Sequence, residues 1–198
     1  NRIKKYWARD SEVIYPPVEV TKEGNHESHG AFVSICRLVT YKRVDLIIRA
    51  FNKLPEKKLI IIGNGPELAR LKTMAKKNIM FIGRVADQKK FDILRGAKGF
   101  IQASKEDFGI SCVEAQACGI PVIAFGEGGA LETVIGTQSN DNPTGLFFYK
   151  QSEDELIKKI IEFSELDFKK ADCVKNAKKF SGENFRNKML DQINSLTS

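Results

Sequence analysis

"KLIIIGNGPELARLKTMAKKNIMFIG", residues 58–83, decides the fold. Its ends, "LIII" and "IMFI", are short apolar runs without polar alternation, the pattern of strands buried on both faces. The segment between them, "PELARLKTMAKK", is amphipathic at helical spacing. Strand, helix and strand in this succession form a crossover unit, which predicts parallel pairing. The joint "GNGPE" has only two glycines, and Pro66 where a dinucleotide fingerprint needs flexibility, so it fails that test. Gly63 and Gly65 instead permit a tight turn, Pro66 takes the first helical position and Glu67 complements the helix dipole; a direct ligand contact is the alternative.

The alternation continues on both sides. "AFVSIC" and "YKRVDLIIRAFNKL" precede the unit, and "DQKKFDILRGA", "GFIQAS", "ISCVEAQACG", "PVIAF", "GALETVI" and "GLFFYK" follow it. The expected architecture is α/β: a Rossmann-like open parallel sheet of about six strands with helices on both faces. Beyond about residue 150 the strand pattern stops and three helical segments follow, the first with Ser152 as cap and Glu155 completing a capping box. Residues 1–30, including "RIKKYWARDSEVIYPPVEV", read as a charged helix end, a short strand and a Pro-Pro turn, a linker. Residues 31–165 form the sheet domain and 166–198 a C-terminal helical tail. A linker at the start predicts that the chain is a piece of a longer protein.

A chain of 198 residues can bury a core without disulfides or metal. The four cysteines, Cys36, Cys112, Cys118 and Cys173, show no metal-ligand spacing and are expected as reduced core thiols of a cytosolic protein. His26 and His29 lie in a polar stretch, and no metal is assigned to them. No apolar run approaches the length of a membrane span. The net charge of +7 favours phosphate-bearing partners, but the lysines mostly interleave with acidic residues at helical spacing, which weakens a nucleic-acid reading.

An open parallel sheet binds ligands at the carboxyl ends of its strands, so the loops there carry the chemistry. "RLVTYKR" places Arg37, Lys42 and Arg43 at a strand end and in the first turn of the next helix, where the helix dipole repels cations unless an anion is present. Arg37 can fork across a phosphate and Lys42 supplies a point charge, while solvation at the surface is the plainer account, chiefly for Arg43. In "EDFGISCVEAQACG", residues 106–119, Glu106 and Glu114 have seven residues between them, a spacing that Glu19 and Glu27 share. Spacing alone therefore decides nothing. The helix that starts near Gly109 does leave the amides of Phe108, Gly109 and Ile110 free at its positive end to hold phosphate. Glu114 could accept hydrogen bonds from paired hydroxyls such as a ribose diol, with Glu106 facing a sugar; alternatively Glu106 and Asp107 only complement the helix dipole. "GEGGALETVI" offers a third cradle at Gly128 and Gly129.

Taken in order, "RLVTYKRVDLIIRAFN", "IIIGNGPE", "FIGRV", "EDFGISCVEAQACGIPVIAFGEGGALETVI" and "GLFF" resemble the C-terminal domain of family 4 retaining glycosyltransferases, over residues 31 to about 165. Within that family the chain is most similar to mannosyltransferases that build bacterial surface polysaccharides, "VIYPPVEV" resembling their interdomain strand. The resemblance implies the C-terminal half of a two-lobed GT-B fold, a nucleotide-sugar-binding domain at 31–165, and an acceptor glycan or polyprenyl-linked glycan met through an N-terminal domain. It implies diphosphate contacts by Arg37 and Lys42, the ribose at Glu114, the transferred sugar at Glu106, and the base at the backbone around Arg84 and Val85. One departure is Cys36, where many members carry glycine.

By the same resemblance the enzyme is a metal-independent, retaining hexosyltransferase without cofactor, GDP-mannose being the favoured donor. It would be cytoplasmic, at the inner face of the membrane, and an isolated donor domain would be inactive. With no Asp-x-Asp clamp in the sequence, Arg37, Lys42 and helix amides would meet the charge that builds on the leaving diphosphate. Two other readings stand beside it: a sugar-nucleotide epimerase of the same two-lobed fold, and a basic, non-enzymatic nucleotide- or nucleic-acid-binding module.

Overall fold

The computed structural model describes residues 2–19, 27–139 and 142–197. A short helix α1 (Arg2–Trp7) precedes a sheet of six strands: β1 (Phe32–Ile35), β2 (Leu59–Ile62), β3 (Ile79–Gly83), β4 (Gly99–Gln102), β5 (Val122–Phe125) and β6 (Gly145–Phe148). Every neighbouring pair is parallel, in the order β3-β2-β1-β4-β5-β6. The crossovers carry α2 (Val44–Asn52), α3 (Leu68–Met74), α4 (Asp87–Arg95), α5 (Ile110–Ala117) and α6 (Ala130–Thr133). The tail adds α7 (Glu153–Glu165), α8 (Lys170–Lys178) and α9 (Gly182–Thr197).

Successive strand residues point to opposite faces, and both faces are covered. Phe32, Ile61, Ile101, Ile123 and Phe148 bury against α2, α3 and α7, through Ile47, Phe51, Leu71, Leu156 and Ile160 among others. Val33, Phe100, Val122, Ala124 and Phe147 bury on the other side, against Phe91 and Leu94 of α4 and Cys112 and Ala115 of α5. Strands with two covered faces have no solvent side to alternate toward, which is why they appear as unbroken apolar runs.

Winding runs outward from β1 to β3, then crosses back to β4. The loops after β1 and β4 therefore diverge to opposite faces and leave a crevice at the carboxyl ends of two adjacent strands.

Three local expectations change. Over its described residues, 13–19, "VIYPPVEV" forms no strand; Val18 pairs there in an isolated bridge with Ser181, its N–H donating to Phe180 O at 2.8 Å. Pro16 and Pro17 have no N–H to give to a ladder. Helix α2 begins at Val44, because Thr40–Lys42 coil as a 3-10 turn and Arg43 adopts a left-handed conformation with φ 53°. Lys42 and Arg43 thus stand before the helix, outside its first turn. At α7, Ser152 Oγ caps the Glu155 N–H, but the Glu155 carboxylate accepts from the N–H of Tyr149 at 2.8 Å, while Ser152 N–H donates to Lys150 O.

A buried polar network fastens α8 to the sheet domain. Asn176 Nδ2 donates to Gln116 Oε1 at 2.7 Å and to Thr133 O at 2.9 Å, and Gln116 Nε2 donates to the same Thr133 O at 2.8 Å. Removing one member leaves the others desolvated without replacement partners. Asn176→Ala is expected to lower the unfolding free energy by about 2 kcal/mol, read as a lower urea midpoint; an unchanged midpoint would show that the network adds nothing.

Candidate functional site

Two cavities open at the crevice and share a wall of Ile35, Cys36, Arg37 and Ser111. The first, of about 490 Å³, is bounded by Lys42, Glu106 and the turn 107–110. The second, of about 500 Å³, is bounded by Gly63, Asn64, Arg84, Val85 and Lys90. Together they make one trough with Arg37 at its waist. This brings together Arg37, Lys42, Glu106, Phe108, Gly109, Ile110, Arg84 and Val85, residues of the three loops that follow β1, β3 and β4.

The loop after β1 is shaped by its neighbour after β2. Cys36 N–H donates to Ile62 O at 3.1 Å, Leu38 N–H to Asn64 O at 2.9 Å, and Glu67 N–H to Leu38 O at 3.1 Å. A Cβ on Gly63, which has φ 142°, would lie 1.9 Å from Cys36 O, so only glycine lets the two backbones approach this closely. The tight turn expected of "GNGPE" is therefore realised, but Pro66 does not take the first helical position, because α3 starts at Leu68 with Glu67 as its cap residue; Gly63 and Asn64 also reach the second cavity.

Arg37 emerges exposed, and its side chain has no hydrogen bond or ion pair among the described residues. Lys42 Nζ, by contrast, donates to Glu106 Oε1 at 2.6 Å, both side chains being more than four-fifths buried, and lies 5.1 Å from the Tyr41 ring centre. Ser104 Oγ donates to the same carboxylate oxygen at 2.5 Å. Arg43 turns away: it donates to Gln151 Oε1 at 2.6 Å, and Gln151 Nε2 donates to Ala103 O, so this cation is a tie to the start of α7.

Gly109 caps α5 with φ 87°, and the first bonds of the helix run from Cys112 and Val113 N–H back to Gly109 O. The amides of Phe108, Gly109 and Ile110 precede those bonds and border the first cavity, a positive helix end facing empty space.

The "GEGG" loop does something other than expected. Gly129 N–H donates to Glu106 O at 2.8 Å, and Gly128 bridges to Glu106. A Cβ on Gly128 would lie 2.3 Å from Glu106 O, and one on Gly129 2.4 Å from Phe108 Cα. Neither glycine borders either cavity. They support the turn 106–110 from behind, since close approach of two backbones needs the same residues as an anion cradle.

Glu114 also stands back from the trough. Its Oε1 accepts from Lys90 Nζ at 2.8 Å, and Lys90 itself pairs with Asp87 at 3.1 Å and borders the second cavity. Burial works against the Lys90 charge, but hydrogen bonds to Glu114 and Asp87 outweigh it and hold its pKa above the ordinary lysine value. Nothing in "DQKKF" distinguishes Lys90 from a solvated lysine; only the crossing of α4 and α5 does.

Cys36 is a wall residue rather than a core thiol, and burial pushes its pKa up to about 11, so it presents a neutral S–H to the trough. Cys112 and Cys173 are buried and free, as expected. His29 holds the Ala31 N–H with Nδ1 and Ile93 O with Nε2, a structural role; His26 lies outside the described residues. Among the described residues no group of three or more metal-ligating side chains occurs, and no helix is long and apolar enough to cross a membrane.

Lys42 is the cation an entering anion has to share with Glu106. Glu106→Gln is therefore expected to tighten binding of inorganic pyrophosphate by roughly threefold, and Lys42→Ala to weaken it, both read by calorimetric titration. Equal affinity in wild type and Glu106→Gln would contradict this competition.

The family model described as "Glycosyl transferases group 1" matches residues 19–180. A Corynebacterium glutamicum protein, GDP-mannose-dependent monoacylated alpha-(1-6)-phosphatidylinositol monomannoside mannosyltransferase, is 34% identical over 150 residues, covering 68% of this chain and 38% of that protein. The Mycolicibacterium smegmatis GDP-mannose-dependent alpha-(1-6)-phosphatidylinositol monomannoside mannosyltransferase is 35% identical over 124 residues, covering 52% of this chain and 31% of its own length. Among solved structures, a point mutant of S. aureus TarM in complex with fondaparinux, alpha-GlcNAc-glycerol and UDP superposes with a TM-score of 0.75 at 22% identity, over 96% of this chain and 41% of TarM. The chain thus spans less than half the length of these relatives, and its fold is that of the C-terminal lobe of a GT-B protein. It belongs to the group 1 glycosyl transferases.

Proposed function

We propose that this chain is the donor-binding lobe of a retaining glycosyltransferase that moves a hexose, mannose from GDP-mannose, to a surface polysaccharide or lipid-linked glycan. The observation that carries the reading is the trough itself. An unpaired guanidinium, a shared lysine and a row of free amides converge on a space continuous with a second cavity at Arg84 and Val85. The first half suits a pyrophosphate with its sugar beside Glu106; the second suits a nucleoside. Mannose and guanosine rest on the names of the two mannosyltransferase relatives.

In the reaction, the bond from the sugar's anomeric carbon to the distal phosphate oxygen breaks, and its electron pair stays on that oxygen. Arg37, Lys42 and the amides of Phe108, Gly109 and Ile110 stabilise the charge as it develops, with no metal and no cofactor. The acceptor hydroxyl attacks the same face, and its proton passes to the departing phosphate oxygen. Glu106 holds the transferred sugar. Glu114 serves the ribose by opening or sharing its pair with Lys90. The full protein works at the cytoplasmic side of the membrane, where its acceptor is anchored, and this lobe alone transfers nothing because the acceptor wall is elsewhere.

Titration of isotope-labelled chain with GDP, UDP and ADP is expected to shift the backbone signals of Arg37, Gly109 and Glu114, most strongly with GDP. Arg37→Ala is expected to weaken the preferred nucleotide by about tenfold. A larger response to UDP would replace guanosine by uridine in the proposal, and no response to any of the three would remove the donor site altogether.

A further inference from the structure

In the turn 106–110 the Glu106 side chain is tied to Lys42 and Ser104, but residues 108–110, whose amides border the cavity, have little to hold them from their own side chains. Gly109 has none, and Ile110 is 47% exposed. Phe108 is the member of the turn that enters an apolar cluster, with Val18, Val113 and Phe180. The cluster is completed from outside the sheet domain. Tyr15 stacks on Phe108 with ring centres 5.6 Å apart and planes 27° from parallel. It also meets Phe180 edge-on at 5.3 Å, and Phe108 and Phe180 close the triangle at 5.4 Å.

The other end of the same side chain holds a second element. Tyr15 Oη donates to Glu132 Oε2 on α6 at 2.6 Å. That hydrogen bond, together with burial, raises the Tyr15 pKa, so the hydroxyl stays a donor through neutral and mildly alkaline pH. Helix α6 follows the Gly128–Gly129 support directly, and its Thr133 Oγ1 donates to Gly129 O at 2.9 Å. One residue therefore grips the anion-facing turn with its ring and, with its hydroxyl, the helix α6 that continues from the loop beneath that turn.

We propose that Tyr15 is a positioning residue for the turn 108–110, fixing its amides relative to Arg37 and Lys42. Because Tyr15 belongs to the segment ahead of β1, displacement of that segment is transmitted to the turn. The inference rests on the reading of this turn as the diphosphate site. It assigns a task to a residue that touches neither cavity.

The test uses Tyr15→Leu, Tyr15→Phe, Gly109→Ala and Arg37→Ala, alone and combined, with amide hydrogen exchange and calorimetric titration against GDP and UDP. Tyr15→Leu is expected to speed exchange at 108–113 by about tenfold while β5 and β6 are unaffected, and to weaken nucleotide binding by about tenfold. Tyr15→Phe keeps the ring stack and is expected to recover most of that affinity. In the Gly109→Ala background, where the turn is already displaced, Tyr15→Leu should cost no further affinity; in the Arg37→Ala background the losses should multiply. Full additivity in both backgrounds, or uniformly faster exchange across the sheet, would mean a general loss of stability and overturn the proposal. Unchanged exchange at 108–113 in Tyr15→Leu overturns it with the donor site intact. Failure of the wild-type chain to bind either nucleotide sinks the donor site, and exchange still decides the clamp.

Discussion

Close backbone approach is the constraint on which the trough depends. At two places a loop passes so near its neighbour that no Cβ fits: Gly63 beneath Cys36, and Gly129 beneath Phe108. Each contact fixes one bank of the crevice. The first sets the direction of the chain leaving β1 and so aims Arg37; the second supports the helix end whose amides face it. The sheet supplies the fork between β1 and β4, but these contacts give the fork a defined width.

Within that frame the charges are unequal. Arg37 is exposed and unpaired among the described residues, whereas Lys42 is already neutralised by Glu106 in a largely buried pair. A ligand meets an available guanidinium first and then competes with a carboxylate for the ammonium. The second half of the trough repeats this arrangement with Lys90 and Glu114. Both glutamates of the "EDFGISCVE" stretch are thus held by lysines from other elements, which keeps buried carboxylates from standing alone.

The fold was legible in the sequence because parallel strands buried on both faces are uninterrupted apolar runs, and each here is separated from the next by an amphipathic segment. The crevice that holds the candidate site followed from the same pattern. What could not be read was the use of particular groups. A Gly-Gly pair looks the same whether its amides face an anion or a neighbouring carbonyl, and Gly129 proved to do the latter. Lys90 and Arg43 each sit among other lysines and arginines, and only tertiary neighbours separate the first, at the cavity, from the second, tied to Gln151. The proline pair at 16–17 suggested a turn, but the chain there forms neither turn nor strand, and what matters is the ring next to it, whose partners are more than ninety positions away.

The bridge between Val18 and Ser181 has a geometric consequence. The polypeptide reaches the sheet domain and departs from it at one spot, side by side. Flanking segments can therefore swing about a single pivot without breaking any of the ladder bonds between the strands, and such a rotation is sensed nearest the three clustered rings rather than in the sheet.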